Sequence, residues 1–429
     1  MFAAYGVLRL WKNKVVKNTL SLFIIQGSNY ILPLITFPYL VRTLGTSNYG
    51  LLIFMNSLIQ YFIVLTDYGF NFSATRKIAL IRENKVRLRE YSNSIISIKT
   101  LLTGSSFVIL IILLMAVPQF SKESLLYIIG FLSVVGNAMF PIWFFQGIEQ
   151  MKYITYFNIG SKIVSTLLIF IFVKSNSDYE LAALFQTLYY VLPGILGLWT
   201  IRKQFSIPIV PHFKINLIKR ELKDGWHVFI GNISGNVYGQ GAVVILGFLA
   251  GQRAVAYYGI CQKITGAAVG LTQPFAQALY PFLCRQFAIS RNKFLKVKKF
   301  IICFAMVAAL LMGVALFMFS GLLIKVVSGT ENSTLIILLK GFSDILMLQV
   351  LNVQISPIIL AMNKTSEFQR MYVSVTILFI LISLPLSFFW HTYGMLLSIL
   401  FVELYICICG LIISRGRIKS EKQENISVN

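Results

Sequence analysis

Apolar residues in this 429-residue chain gather in runs long enough to cross a bilayer, and the polar residues gather between them. A helix rising about 1.5 Å per residue needs about 20 residues to span ~30 Å of hydrocarbon. Measured against that length, the pattern predicts about twelve transmembrane helices, at 19–41, 50–70, 94–117, 125–145, 154–173 and 181–201 in the first half and at 226–250, 255–282, 300–327, 335–361, 371–390 and 395–414 in the second. The fold class expected is an all-α polytopic membrane protein.

Composition agrees with that reading: 57% of residues are hydrophobic, 14% aromatic and only 12% charged, too little polar surface to coat a water-soluble globule. Charge adds orientation. The chain carries 38 Lys and Arg against 15 Asp and Glu, a formal +23. In a soluble protein that excess points to nucleic acid. Here 29 of the 38 basic residues fall in segments on one side of the predicted membrane, four (Arg42, Lys122, Lys174, Arg253) on the other, and five within spans. The asymmetry places both termini in the cytoplasm. It also removes the reason to invoke nucleic acid, since the cations are spread in short patches facing anionic lipid. The first apolar run follows Arg9, Lys12, Lys14 and Lys17, is too long for a signal-peptide core and lacks a small-residue cleavage site, so it reads as an uncleaved first span.

The longest polar stretch, Arg202 to Gly225, is basic, holds Pro208 and Pro211, and separates six spans from six. It reads as a cytoplasmic linker between an N-terminal lobe (1–201) and a C-terminal lobe (226–414), with a cytoplasmic tail at 415–429. The halves share landmarks. Gly27-Ser28-Asn29 precedes Gly235-Asn236 by about 207 positions, Tyr49-Gly50 precedes Tyr258-Gly259 by 209, and Pro141 precedes Pro357 by 216. These offsets suggest a duplicated six-helix unit, as in many secondary transporters.

Chemistry is sparse. The outer loops are too short for a catalytic domain, which argues against a membrane polymerase or glycosyltransferase. His212, His227 and His391 lie far apart with no metal-binding spacing, and no phosphate-cradling motif is present, so neither a metal site nor nucleotide hydrolysis is expected, and no cofactor. The five cysteines, Cys261, Cys284, Cys303, Cys407 and Cys409, show no disulfide framework and read as core packing.

Ionisable groups within spans are costly and therefore candidate functional residues. Lys162 and Lys263 each lie about eight residues into a span and read as ligand-binding cations or as snorkelling lysines. Lys340 and Asp344 stand one turn apart and can pair along a helix face. Arg42 and Arg253 close spans 1 and 7 in matching places, facing ligand or headgroups. Lys99 and Lys325 read as interfacial anchors. Asp67 lies within reach of Arg76-Lys77 for a salt bridge, and Glu403 is either a proton carrier or a neutral carboxyl bonded to a neighbour. Gly231, Gly235 and Gly239 form a ridge in span 7, and Pro33, Pro38, Pro141, Pro193, Pro274 and Pro357 mark bends. Buried cations outnumber buried anions, which suits an anionic ligand such as a lipid diphosphate.

Three stretches carry a family resemblance: Leu40-Val41-Arg42-Thr43-Leu44-Gly45 followed by Tyr49-Gly50, Asp67-Tyr68-Gly69-Phe70 through Arg76, and Pro141-Ile142-Trp143-Phe144-Phe145-Gln146-Gly147. They resemble Wzx-type O-antigen flippases of the multidrug/oligosaccharidyl-lipid/polysaccharide exporter superfamily, most sharply over residues 20–165. The resemblance implies two six-helix lobes around a central cavity that opens alternately to each side. It also implies transport of an undecaprenyl-diphosphate-linked O-antigen repeat unit across the bacterial inner membrane. Arg42, Lys162, Lys263 and Lys340 would then bind substrate, and Asp67, Asp344 and Glu403 would serve coupling or gating. Partners expected are the lipid-linked oligosaccharide, membrane lipids and other polysaccharide-assembly proteins. Two alternatives stay open: a cation-coupled multidrug exporter, disfavoured by the acid-free first span, and a polysaccharide polymerase.

Overall fold

The structure, a computed structural model, describes the backbone of residues 2–208, 210 and 215–415, with side chains described from residue 32 onward except at 215–217, 227, 278 and 415. The side chains of the N-terminal basic cluster and of His227, together with Pro211, His212 and the tail from residue 416, lie outside the described residues. Every regular element described is helical. In chain order these are α1 (Phe2–Asp67), α2 (Phe70–Ile81), α3 (Lys85–Ala116), α4 (Pro118–Ser121), α5 (Ser124–Met139), α6 (Ile142–Gly147), α7 (Met151–Phe172), α8 (Tyr179–Gln204), α9 (Ile215–Leu249), α10 (Gly251–Gly270), α11 (Gln273–Ile289), α12 (Arg291–Met318), α13 (Ser320–Ser328), α14 (Ser333–Ala361) and α15 (Thr365–Arg415).

Among the described residues, eight helical segments are long and apolar enough to cross a membrane. Two of them run for 50 residues, about 75 Å of helix, which is twice the bilayer and more. Each is interrupted where two predicted spans meet: α1 at Gly45 (φ 72°) and α15 at His391 (φ 49°). The predicted loops there shrink to a reversal of one or two residues. Predicted spans 7 and 8 correspond to α9 and to α10 with α11, which fall below the apolarity of the other eight. Among the described residues, eight segments thus qualify by length and apolarity, against the twelve expected. Beyond Pro208 the chain re-enters a helix at Ile215, eleven residues before the predicted span. Ile218 and Leu222, one turn apart, lay an apolar edge against the core of α2, α3 and α6.

The chain divides into two compact units. The first comprises Met1–Ile260, Gly321–Leu335 and Trp390–Thr392. Its α5 and α8 pack at backbone distance: a Cβ at Gly136 would lie 2.5 Å from the carbonyl carbon of Tyr190, and one at Gly194 would lie 2.6 Å from the Gly136 oxygen. Without a solvent-driven hydrophobic effect between helices in lipid, such close approach supplies the packing energy. The second unit comprises Cys261–Ser320, Ile336–Phe389 and Tyr393–Asn429. Leu283, Phe294, Ile301, Ile358 and Met362 join α11, α12 and α14 in one cluster. Lys298 and Lys364 donate to the carbonyls of Ser414 and Ile413 and so satisfy the last turn of α15. Cys261 and Cys407 are buried as expected, but Cys303 is exposed on α12 and does not pack in a core.

Candidate functional site

The three stretches that carry the resemblance are all places where a helix stops. At Leu40–Gly50, Leu44 and Tyr49 are buried around the Gly45 break, Ser47 donates to Gln252 Oε1 at 3.1 Å, and Asn48 donates to the carbonyl of Asn176 at 2.8 Å. Gly50 is required by contact, since a Cβ there would sit 2.1 Å from the Gln252 oxygen. Arg42 is exposed, and its guanidinium donates to the carbonyl of Val326 in the last turn of α13. At Asp67–Phe70, Tyr68 and Gly69 both adopt positive φ, turning α1 into α2. Tyr68 stacks on Phe229 of α9 at 4.6 Å. At Pro141–Gly147, Trp143, Phe144 and Phe145 are buried. Thr75 of α2 donates to the Trp143 carbonyl at 3.3 Å, holding the short α6 against α2.

Asp67 does not pair with the Arg76-Lys77 run. Its partner is Lys99, whose ammonium lies 3.0 Å from Oδ1. Asn71 donates to Oδ2 at 2.5 Å. Lys99 is 2% exposed, so it is no interfacial anchor; fourteen residues into α3 it lies about 21 Å along the helix. The reversal at Tyr68-Gly69 sends Arg76 and Lys77 away from Asp67, while α3 returns past it. Lys77 instead meets Glu221 at 2.5 Å, and Tyr91 donates to the other Glu221 oxygen at 2.8 Å. Glu221, 2% exposed on the early part of α9, thereby joins α2, α3 and α9.

The remaining predicted residues fall as follows. Lys162 is half-buried on α7 and Lys263 is exposed on α10. Lys340 is half-buried with its ammonium 5.0 Å from the centre of the Phe317 ring, a cation–π contact. Asp344, one turn on, is exposed, and no ion pair joins it to Lys340 among the described residues. Lys325 meets Glu331 at 3.1 Å where both are exposed, as suits a helix end. Glu403 is 4% exposed; its two oxygens accept from Gln349 at 2.9 Å and from Asn352 at 2.7 Å, both on α14. A buried carboxyl bonded to neighbours is thus what the second unit contains.

The sequence reading missed a set of uncharged polar residues in the first unit. On the second half of α1, Asn56 donates to Gln186 at 2.9 Å and Gln60 to Tyr190 at 3.1 Å, both on α8. On the adjoining face, Ser57 donates to Gln240 at 3.0 Å and Tyr61 to the Asn236 carbonyl at 3.5 Å, both on α9. The signal available was the spacing of four between Asn56 and Gln60 and between Asn232, Asn236 and Gln240. It is quieter than a charge.

A family described as polysaccharide biosynthesis protein matches residues 15–287. A relative from Escherichia coli (strain K12), named "Putative O-antigen transporter", is 31% identical over 90% of this chain and 93% of its own length. Among solved structures, a lipid II flippase MurJ in an inward closed conformation superposes with a TM-score of 0.67 at 12% identity, covering 92% of this chain and 87% of that one. An inward-facing multidrug resistance MATE transporter of the MOP superfamily gives 0.58 at 14% identity over 91% and 98%. The structural likeness shows a shared fold and nothing finer; the sequence match shows the family. This multi-pass membrane protein, its matching turns now seen as joints between helices, belongs to the polysaccharide biosynthesis protein family.

Proposed function

We propose that this protein is a flippase for an undecaprenyl-diphosphate-linked O-antigen or related polysaccharide repeat unit, moving it from the cytoplasmic to the periplasmic leaflet of a bacterial inner membrane by alternating access. One observation carries the reading: likeness to an O-antigen transporter along nine-tenths of the chain. The fold alone is shared with multidrug transporters and does not choose. The treatment of buried acids adds support. Asp67 is neutralised by Lys99 and Glu403 is held by two amides, so neither is presented as a bare carboxylate for a cationic drug. In this reading the six-helix lobes 1–201 and 226–414 move about the 202–225 linker, with both termini and the 415–429 tail in the cytoplasm. Arg42, Lys162, Lys263 and Lys340 hold the diphosphate. Asp67, Asp344 and Glu403 serve coupling and gating, and the chain acts as a carrier without catalysing bond cleavage.

The test is reconstitution. Purified protein is placed in vesicles with the lipid-linked oligosaccharide extracted from a strain lacking the gene, and the fraction of sugar reached by a membrane-impermeant glycosidase is followed. Access to the inner-leaflet pool is expected to rise well above protein-free vesicles; equal access in both overturns the reading.

A further inference from the structure

Uncharged polar residues of the first unit bond α1 to α8 on one face and to α9 on the adjoining face, at a depth where lipid offers no hydrogen bonds. Asn56, Gln60 and Tyr61 lie eleven to sixteen residues beyond the Gly45 break, about 17–24 Å along α1 and so from mid-bilayer into its far half. Asn56, Gln60, Tyr61, Gln186, Tyr190, Asn236 and Gln240 are all half-buried, neither sealed in the core nor fully open. Polar groups serving only as glue between helices are best used when buried between them. These are bonded pairwise yet keep one side open.

Two further features give the lining an open front. On α9, Gly231, Gly235 and Gly239 stand one position before Asn232, Asn236 and Gln240, and a Cβ built on any of the three glycines would meet no atom within 4 Å. Among the described residues nothing packs against these glycines, and they keep a flat face clear beside the amides. A primary amide has two donors and two acceptor positions, so the single bond between Asn56 and Gln186 leaves both groups able to donate and accept further. Uncharged groups that both donate and accept, beside tyrosine rings and a flat clear face, match a ligand rich in hydroxyls and without charge.

We infer that Asn56, Gln60, Gln186, Asn236 and Gln240 form a binding surface for the hydroxyl groups of the sugar part of the transported lipid, separate from the cations assigned to its diphosphate. This rests on the flippase reading and adds to it the group that the first unit recognises. Two probes separate the sugar from the diphosphate: the lipid-linked oligosaccharide extracted from the gene-deletion strain, and undecaprenyl diphosphate, which carries no sugar. Binding of each to the purified full chain in nanodiscs is measured for the wild type, for Gln60→Leu/Gln186→Leu and for Gly235→Leu. A Cβ at Gly235 meets no described atom within 4 Å, so the last variant's melting midpoint is expected to match the wild type and it stays informative if the double variant fails to fold.

The wild type is expected to bind the sugar-bearing lipid at least tenfold more tightly than undecaprenyl diphosphate. Folded variants should lose about tenfold on the former with no change on the latter. Equal wild-type affinity for the two lipids, or an undiminished preference in Gly235→Leu, overturns the sugar surface while leaving the flippase reading intact. A wild type that binds neither lipid overturns both.

Discussion

Lys99 offers the sharpest quantitative test of how the first unit is held together. It is 2% exposed, and its partner Asp67 retains a side-chain exposure of 20%. Removing one member of a buried ion pair costs about 3–5 kcal/mol, because the other charge is left without compensation. In Lys99→Met, Asp67 keeps its bond from Asn71 and its partial access to water, which places the loss near the lower end, about 3 kcal/mol. Asp67→Asn strands a nearly inaccessible ammonium and should cost about 4–5 kcal/mol. The double variant carries neither charge and should return to within about 1 kcal/mol of wild type, since a buried pair replaced by neutral groups of similar size is roughly neutral. The two changes are thus coupled by several kcal/mol, far beyond the ~0.5 kcal/mol within which independent sites add. Reversible unfolding in mixed micelles by titration with a denaturing detergent measures all four proteins. A double variant as unstable as the sum of the singles would refute the pairing. Lys77→Met combined with Asp67→Asn should show no coupling, because Lys77 belongs to Glu221.

Other consequences are as direct. Gly50→Ala drives a methyl into the Gln252 carbonyl and should lower stability by about 1–3 kcal/mol, whereas Gly231→Ala, with nothing within 4 Å, should be neutral or slightly stabilising; thermal melts in detergent decide. Neutralising Lys162 or Lys263 to Met should lower the flipping rate at least tenfold with unchanged membrane insertion, and full rates in both variants would remove them from the site. Glu403→Gln turns one acceptor oxygen into an NH2 facing the amide donors of Gln349 and Asn352, so it should cost about 1–3 kcal/mol and, if the folded protein is assayed, leave flipping insensitive to an imposed proton gradient. A rate that still follows the gradient excludes Glu403 from coupling.

Span length was legible in the sequence because lipid enforces it: backbone groups must be satisfied within each helix, so apolar runs of fixed length leave few alternatives. What was not legible depends on the third dimension. The reversals at Gly45 and His391 replace predicted loops because one residue of positive φ suffices to redirect a helix, and nothing in a hydropathy profile requires more. The lower apolarity of α9 has a local cause in Asn232, Ser234, Asn236, Tyr238 and Gln240, of which Asn236 and Gln240 bond to α1. Asp67 was recognised as an unusual acid, but its partner depends on which helix returns past it, and Lys99 is 32 positions away. Glu221 was hidden in a linker whose helix begins before its apolar stretch does. The turns that carry the resemblance could be recognised as patterns; only the structure shows that their glycines and aromatics are contact surfaces between α1, α2, α6 and α9.

The flippase claim itself is tested most directly in cells. The gene is deleted from its native host, and the lipid-linked repeat unit is assayed for its leaflet by sugar access from the periplasmic side. The account predicts single repeat units trapped on the cytoplasmic face and loss of surface polysaccharide, both restored by the intact gene. Repeat units accumulating on the periplasmic face, or unaltered polysaccharide with changed drug tolerance, would contradict it.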